Sequence, residues 1–114
     1  MRGKLVRGAE LDAEARFFRI LGDPTRLQII RLLDGGEKSV GELVRAVGQP
    51  QPRVSTHLAC LRFCRLVATE RRGKEVYYRL TIRGFGELVD GTADLIEPLS
   101  EWLAQCQRIG PDWV

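Results

Sequence analysis

Apolar residues return at helical intervals along most of the chain, and a few helix-breaking positions divide them into segments. From Ala9 onward Leu11, Ala15, Phe18 and Leu21 share one face, and the run stops at Gly22. Asp23-Pro24 predicts the start of a second helix. Asp accepts from free backbone N–H groups there, and Pro in the first turn has no bond to lose. Leu27, Ile29, Ile30 and Leu33 form its buried stripe, and Gly35-Gly36 ends it. Ser39-Val40-Gly41-Glu42 is a capping box that opens a short helix with Val40, Leu43, Val44 and Val47 inward, closed by Gly48. Beyond the Pro-punctuated turn Gln49-Pro50-Gln51-Pro52, the residues Val54, Leu58 and Leu61 line the core face of another helix. Two such helices across a Gly-containing turn, over residues 39–64, predict a helix-turn-helix.

The period then changes. Leu66–Arg72 and Lys74–Leu80 carry β-branched and aromatic residues on either side of Gly73, which predicts a hairpin over 66–80. Its tip, Arg71-Arg72-Gly73-Lys74, is basic, as expected of an element that reaches a phosphate backbone. Residues 82–108 predict one long amphipathic helix, with Phe85, Leu88, Val89, Thr92, Leu95, Ile96, Leu99, Trp102, Leu103 and Cys106 near heptad spacing. The register runs through Pro98, which is therefore expected to kink that helix and not to end it. So long an apolar seam exceeds what a small domain covers, and the expected use is a two-fold homodimer interface joined by the first helix. Residues 1–8 are expected to form a flexible arm. The predicted fold is mainly α with a small β-hairpin, one domain over 1–114, dimerising through its terminal helices.

Composition narrows the function classes. A chain of 114 residues, 44% apolar and 29% charged, has the make-up of a soluble globular protein. No apolar run is long enough for a membrane span, and the charged start lacks the stretch of a signal peptide, so a cytoplasmic location without membrane contact is expected. The formal net charge is +3. Arg62, Arg65, Arg71, Arg72 and Lys74 crowd the middle, while Glu87, Asp90, Asp94, Glu97 and Glu101 make the last third acidic. With one histidine, no nucleophile–base pair and no phosphate-binding glycine loop, an enzyme is not expected. Three cysteines, an odd number, argue for reduced thiols.

Two sets of residues carry candidate chemistry. In a helix-turn-helix the N-terminal half of the second helix enters the major groove of double-stranded DNA. Gln51, Arg53, Ser55, Thr56 and His57 are the polar residues there that lie off the core stripe. Arg suits guanine and Gln adenine through paired hydrogen bonds, while Ser and Thr hold phosphate. Ser39 and Gln49 at helix starts are expected near phosphate, with Arg71, Arg72 and Lys74 along the backbone or minor groove. The second set begins with Cys60 and Cys64, one helical turn apart and to one side of the Val54/Leu58/Leu61 stripe. Two thiolates so placed can share a soft ion, and Cd²⁺, Pb²⁺, Hg²⁺, Zn²⁺ and As(III) all suit them. The alternative is that the cysteines only pack the interior.

Three stretches resemble the ArsR/SmtB family of metal-responsive repressors. Leu21-Gly22-Asp23-Pro24-Thr25-Arg26-Leu27 through Leu33 is similar to that family's second helix, and Pro52-Arg53-Val54-Ser55-Thr56-His57-Leu58 through Leu61 to its recognition helix. Gly73-Lys74-Glu75-Val76-Tyr77-Tyr78-Arg79-Leu80 is similar to the returning strand of its wing. The resemblance implies a winged helix-turn-helix homodimer that binds operator DNA and leaves it when metal binds. Val40 to Val47 lacks the Cys-x-Cys of one branch, and the last third lacks the histidines of the zinc-binding branch. His57-Leu58-Ala59-Cys60-Leu61-Arg62-Phe63-Cys64-Arg65-Leu66-Val67 resembles the CmtR-like, cadmium- and lead-sensing branch. That resemblance implies Cys60 and Cys64 as ligands, Cys106 as a third, and Cd²⁺ or Pb²⁺ as inducer, with Hg²⁺ or As(III) also accommodated. It puts His57 beside DNA. Arg65 departs from the pattern, which has Gly at this point. Either the helix ends differently, or a left-handed Arg is tolerated next to Cys64. A thiol-redox repressor and a winged-helix module that binds protein are the competing readings.

Overall fold

The computed structural model describes residues 7–106, and within them the chain forms two compact units that meet in sequence between Thr81 and Ile82. The first unit runs through α1 (Gly8–Leu21), α2 (Pro24–Asp34), β1 (Lys38–Ser39), α3 (Val40–Val47), α4 (Gln51–Phe63), β2 (Val67–Arg72) and β3 (Glu75–Leu80). The second contains α5 (Phe85–Ile96), a 3₁₀ turn (Glu97–Leu99) and α6 (Ser100–Gln105).

The helix starts are where the caps place them. Asp23 Oδ1 accepts from the backbone N–H of Arg26 at 3.0 Å, with Pro24 in the first turn of α2. Partial burial raises the Asp23 carboxyl, but the Arg26 N–H and the neighbouring His57 and Arg26 side chains outweigh it and hold the group below its ordinary value. At α3 the full capping box forms: the Glu42 N–H donates to Ser39 Oγ at 3.2 Å, and the Ser39 N–H donates to Glu42 Oε1 at 3.0 Å. Gly48 closes α3 in the left-handed conformation, φ +71°, which a side chain there would strain.

The core is built from the predicted stripes. Ile29 and Ile30 of α2, Leu43 of α3, and Val54, Leu58 and Leu61 of α4 are fully buried. Each is worth about 1.5–3 kcal/mol in apolar area removed from water. Leu66 and Val67 extend this core into the start of the hairpin. The hairpin is one part of a three-stranded antiparallel sheet of order β1-β3-β2. β1 is only two residues long and pairs Lys38 with Tyr78 and Ser39 with Tyr77. Two residues carry no readable alternation, so this strand has no signature in the sequence.

The predicted single helix over 82–108 is divided. Gly84, at φ +82°, precedes a start at Phe85, and α5 ends at Ile96. Pro98 lacks the N–H that would continue the ladder, and its ring crowds the preceding turn. The chain takes one 3₁₀ turn and resumes as α6. Residues 107 and 108 lie outside the described residues, as do residues 1–6 of the predicted arm, whose Gly8 begins α1. On α1, Leu11 and Phe18 are 51% and 59% exposed, and in the second unit Leu95 and Trp102 are 75% and 80% exposed. Apolar faces left open in this way suit burial against another copy.

The end of α4 answers the question posed by Arg65. Its φ is +64°, the only positive value at a non-glycine among the described residues. The Leu66 N–H donates to the Leu61 carbonyl and the Arg65 N–H to the Arg62 carbonyl, both at 3.0 Å. This is a Schellman closure, with buried Leu61 and Leu66 supplying its apolar contact. Thr81 Oγ1 donates to the Arg65 carbonyl at 2.6 Å and its N–H to the Leu66 carbonyl at 3.0 Å. The surroundings therefore impose the left-handed residue, and Arg bears the strain. Arg65→Gly is expected to stabilise the fold by about 1 kcal/mol. A higher urea midpoint at unchanged slope checks this, whereas a lower midpoint would mean that the Arg side chain contributes more than its strain costs.

Candidate nucleic-acid interface and thiol pair

The reading helix is held from three sides, so its outer face is presented by a rigid support. Val54, Leu58 and Leu61 anchor α4 to the core, which leaves Gln51, Arg53, Ser55 and Thr56 exposed on the opposite side. The Thr56 hydroxyl donates back to the Pro52 carbonyl at 2.9 Å, so its one proton is already engaged. A cavity of about 340 Å³ brings Gln51 and Ser55 of α4 together with the start of α3 (Ser39 to Gly41) and with Lys74, Glu75 and Val76 of the hairpin. Helix start, reading face and hairpin thus line one concave surface, and the helix N-terminus adds a partial positive charge there.

The other candidates are oriented differently. Ser39 is 5% exposed and its hydroxyl is occupied as the cap of α3. Gln49 turns inward, with Nε2 donating to Thr25 Oγ1 at 3.0 Å and Oε1 buried without a partner. His57 is half-buried, its Nε2 3.9 Å from Asp23 Oδ1. Arg71, Arg72 and Lys74 are all exposed. Arg72 is tied to two carboxylates, while Arg71 and Lys74 make no ion pair among the described residues.

At the other end of α4, Cys60 is half-buried and Cys64 exposed, and all three cysteines are free thiols. Cys60 and Cys64 stand one helical turn apart, in the last turn and at the C-cap of α4. Burial pushes the Cys64 thiol up from its ordinary value, and the neighbouring Cys60 adds to this. Arg26 opposes the rise. Arg26 is a residue that the sequence reading quoted in a motif without a role. Its Nε donates to the Ile20 carbonyl at 2.8 Å and its Nη2 to the Arg19 carbonyl at 3.3 Å, closing the end of α1. Its signal was a cation three residues after a helix cap, too common to single out. Two free thiols one helical turn apart, one of them exposed, fit a thiophilic ion as a partial donor set, and binding must displace the thiol protons. Cys106 is half-buried at the end of α6. Among the described residues, no group of three His, Cys, Asp or Glu side chains is assembled as a metal site.

The chain is similar to known bacterial regulators. The family model for "Bacterial regulatory protein, arsR family" matches residues 23–69, from the cap of α2 into β2. A probable mercury resistance operon repressor from Streptomyces lividans is 48% identical over 98 residues, covering 86% of this chain and 78% of that protein. The transcriptional regulator CmtR from Mycobacterium tuberculosis is 42% identical over 81 residues, covering 68% of this chain and 69% of that one. Among solved structures, a homodimeric winged helix-turn-helix DNA-binding domain from Mycobacterium bovis superposes with a TM-score of 0.66 at 35% identity. That match covers 82% of this chain and 91% of the other.

Proposed function

Because this chain belongs to the ArsR family of bacterial regulatory proteins, we propose that it is a cytoplasmic repressor that binds operator DNA as a homodimer and releases it when Cd²⁺ or Pb²⁺ binds its thiols. The observation that carries the reading is the Cys60–Cys64 pair, two free thiols one helical turn apart at the C-terminal end of α4. Metal captured there acts on the element whose other end faces the DNA.

In this reading two copies set their α4 helices into successive major grooves of a near-palindromic site. Arg53 and Gln51 contact base edges, Ser55 and Thr56 contact phosphate, and Arg71 and Lys74 of the hairpin follow the backbone. Cys60 and Cys64 hold the ion, and Cys106 completes a three-sulfur set, which suits Cd²⁺ and Pb²⁺ better than four-coordinate Zn²⁺. A bound ion would tie the end of α4 to the segment that carries Cys106. Release requires only that the DNA-free dimer bind the ion more tightly than the DNA-bound dimer does.

A second reading has its own support. The Streptomyces relative carries mercury in its name, and Hg²⁺ is satisfied by two thiolates. The test is a titration of the metal-free dimer, bound to a duplex selected from random sequence, with Cd²⁺, Pb²⁺, Hg²⁺, Zn²⁺ and As(III). Cd²⁺ or Pb²⁺ is expected to produce a thiolate-to-metal absorption band and to lower DNA affinity about 5- to 150-fold. Release by Hg²⁺ alone favours the second reading. Absence of release with every ion, together with loss of DNA binding on oxidation, would transfer the response to thiol redox chemistry.

A further inference from the structure

The hairpin meets the helix-turn-helix segment through the sheet and also through a side chain near its tip. Through the sheet, β3 pairs with β1, whose Ser39 is also the cap of α3. Beside that ladder stands Arg72, the last residue of β2. Its Nη1 donates to Glu37 Oε1 at 2.6 Å and its Nη2 to Glu37 Oε2 at 2.9 Å, and Nη2 also donates to Glu70 Oε2 at 2.8 Å. The guanidinium carbon lies 4.6 Å from the centroid of the Tyr77 ring, and the Tyr77 hydroxyl donates to Glu75 Oε2 at 2.9 Å. A two-pronged pair with a carboxylate, closed by an aromatic ring, is a geometry that Arg holds and Lys does not.

Isolated surface ion pairs contribute little, but bidentate geometry in a network is the exception. Glu37 lies between α2 and β1, two residues before the cap of α3. The contact spans 35 residues of sequence and ties the hairpin tip to the segment that starts the helix-turn-helix. It also changes the electrostatic balance at the tip. One cation faces two carboxylates, so this cluster offers a phosphate no net positive charge. Arg71 and Lys74 carry no such ties among the described residues.

We infer that Arg72 is a positioning residue and not a phosphate ligand: its fork on Glu37 sets the hairpin against α3, and the hairpin's phosphate contacts fall to Arg71 and Lys74. This rests on the reading of the hairpin as a DNA contact. Its signature is a loss of affinity without a loss of salt dependence. Each phosphate contact adds close to one unit to the slope of log affinity against log salt concentration. A dimer carries two hairpins, so removing a phosphate ligand lowers the slope by about two. Removing a strut leaves the slope in place.

The experiment measures binding of the full dimer to a random-sequence duplex over a range of salt concentrations, and to the selected duplex at one concentration. Arg71→Gln and Lys74→Gln are each expected to flatten the slope by about two. Arg72→Gln is expected to weaken selected-duplex binding roughly two- to fivefold with the slope unchanged. Arg72→Lys, which keeps the charge and loses the fork, is expected to behave like Arg72→Gln. The double exchange Glu37→Arg with Arg72→Glu is expected to restore selected-duplex affinity. Flattening by Arg72→Gln equal to that of Arg71→Gln, with Arg72→Lys reading as wild type, overturns the inference. If Arg71→Gln and Lys74→Gln also leave the slope unchanged, the hairpin does not reach phosphate, and the underlying reading falls with it.

Discussion

Cys64→Ser is expected to leave operator affinity of the metal-free dimer within about twofold of wild type while abolishing its response to Cd²⁺ and Pb²⁺. The side chain is exposed and off the core stripe, so serine costs the fold little. Metal affinity is another matter, because the hydroxyl does not ionise near neutral pH and is a hard ligand for a soft ion. A coupling of about 5- to 150-fold in DNA affinity should collapse to none. Cys60→Ser should do the same, with a further small stability loss because Cys60 is half-buried. Cys106→Ser separates the two metal readings: it should remove release by Pb²⁺ and Cd²⁺ yet spare release by Hg²⁺ if two thiolates suffice for that ion. Normal release in all three variants would sink the thiol site. Acid should weaken the wild-type response, since the raised Cys64 thiol must lose its proton for the ion to bind.

Leu58→Ala is expected to destabilise the fold by about 2–5 kcal/mol, a large part of a typical domain's total. Leu58 is 0% exposed at the centre of α4, between the buried Val54 and Leu61. Truncation leaves a cavity that the rigid neighbours on α2 and α3 cannot fill. Phe63, on the same helix, is 89% exposed despite being the larger side chain. Phe63→Ala should therefore change stability by no more than about 0.5 kcal/mol. Urea unfolding at one fixed protein concentration checks both, since dimerisation makes the midpoint concentration-dependent. Equal costs for the two substitutions would mean that Phe63 is covered in the dimer, and that the burial pattern of a single copy does not describe it.

The contrast between Leu58 and Phe63 shows which parts of the structure local pattern can reach. The stripes on α2, α3 and α4 were legible because helical periodicity and core burial are the same constraint, written every three or four residues. The starts of α2 and α3 were legible because Asp23-Pro24 and Ser39/Glu42 satisfy backbone groups within one turn, with no help from the rest of the fold. The Cys60–Cys64 spacing was legible for the same reason, since one helical turn fixes it. The division of the last helix was half legible: Pro98 marked the place, but not that the chain would take a 3₁₀ turn and resume. The two-residue β1 and the direction taken by Gln49 left no local trace.

The amino-acid order alone thus determined the helices α2 to α4, the hairpin and the one-turn spacing of Cys60 and Cys64, all of which depend on residues a few positions apart. Tertiary structure decided what each polar side chain was free to do. It turned Gln49 onto Thr25, set His57 beside Asp23, and imposed the left-handed turn that Arg65 tolerates under Thr81. It also separated three neighbouring cations at the hairpin tip into two that are unpaired among the described residues and one bound to Glu37. Charge can be counted along a chain, but whether a charge is already spent depends on partners that only folding brings within reach.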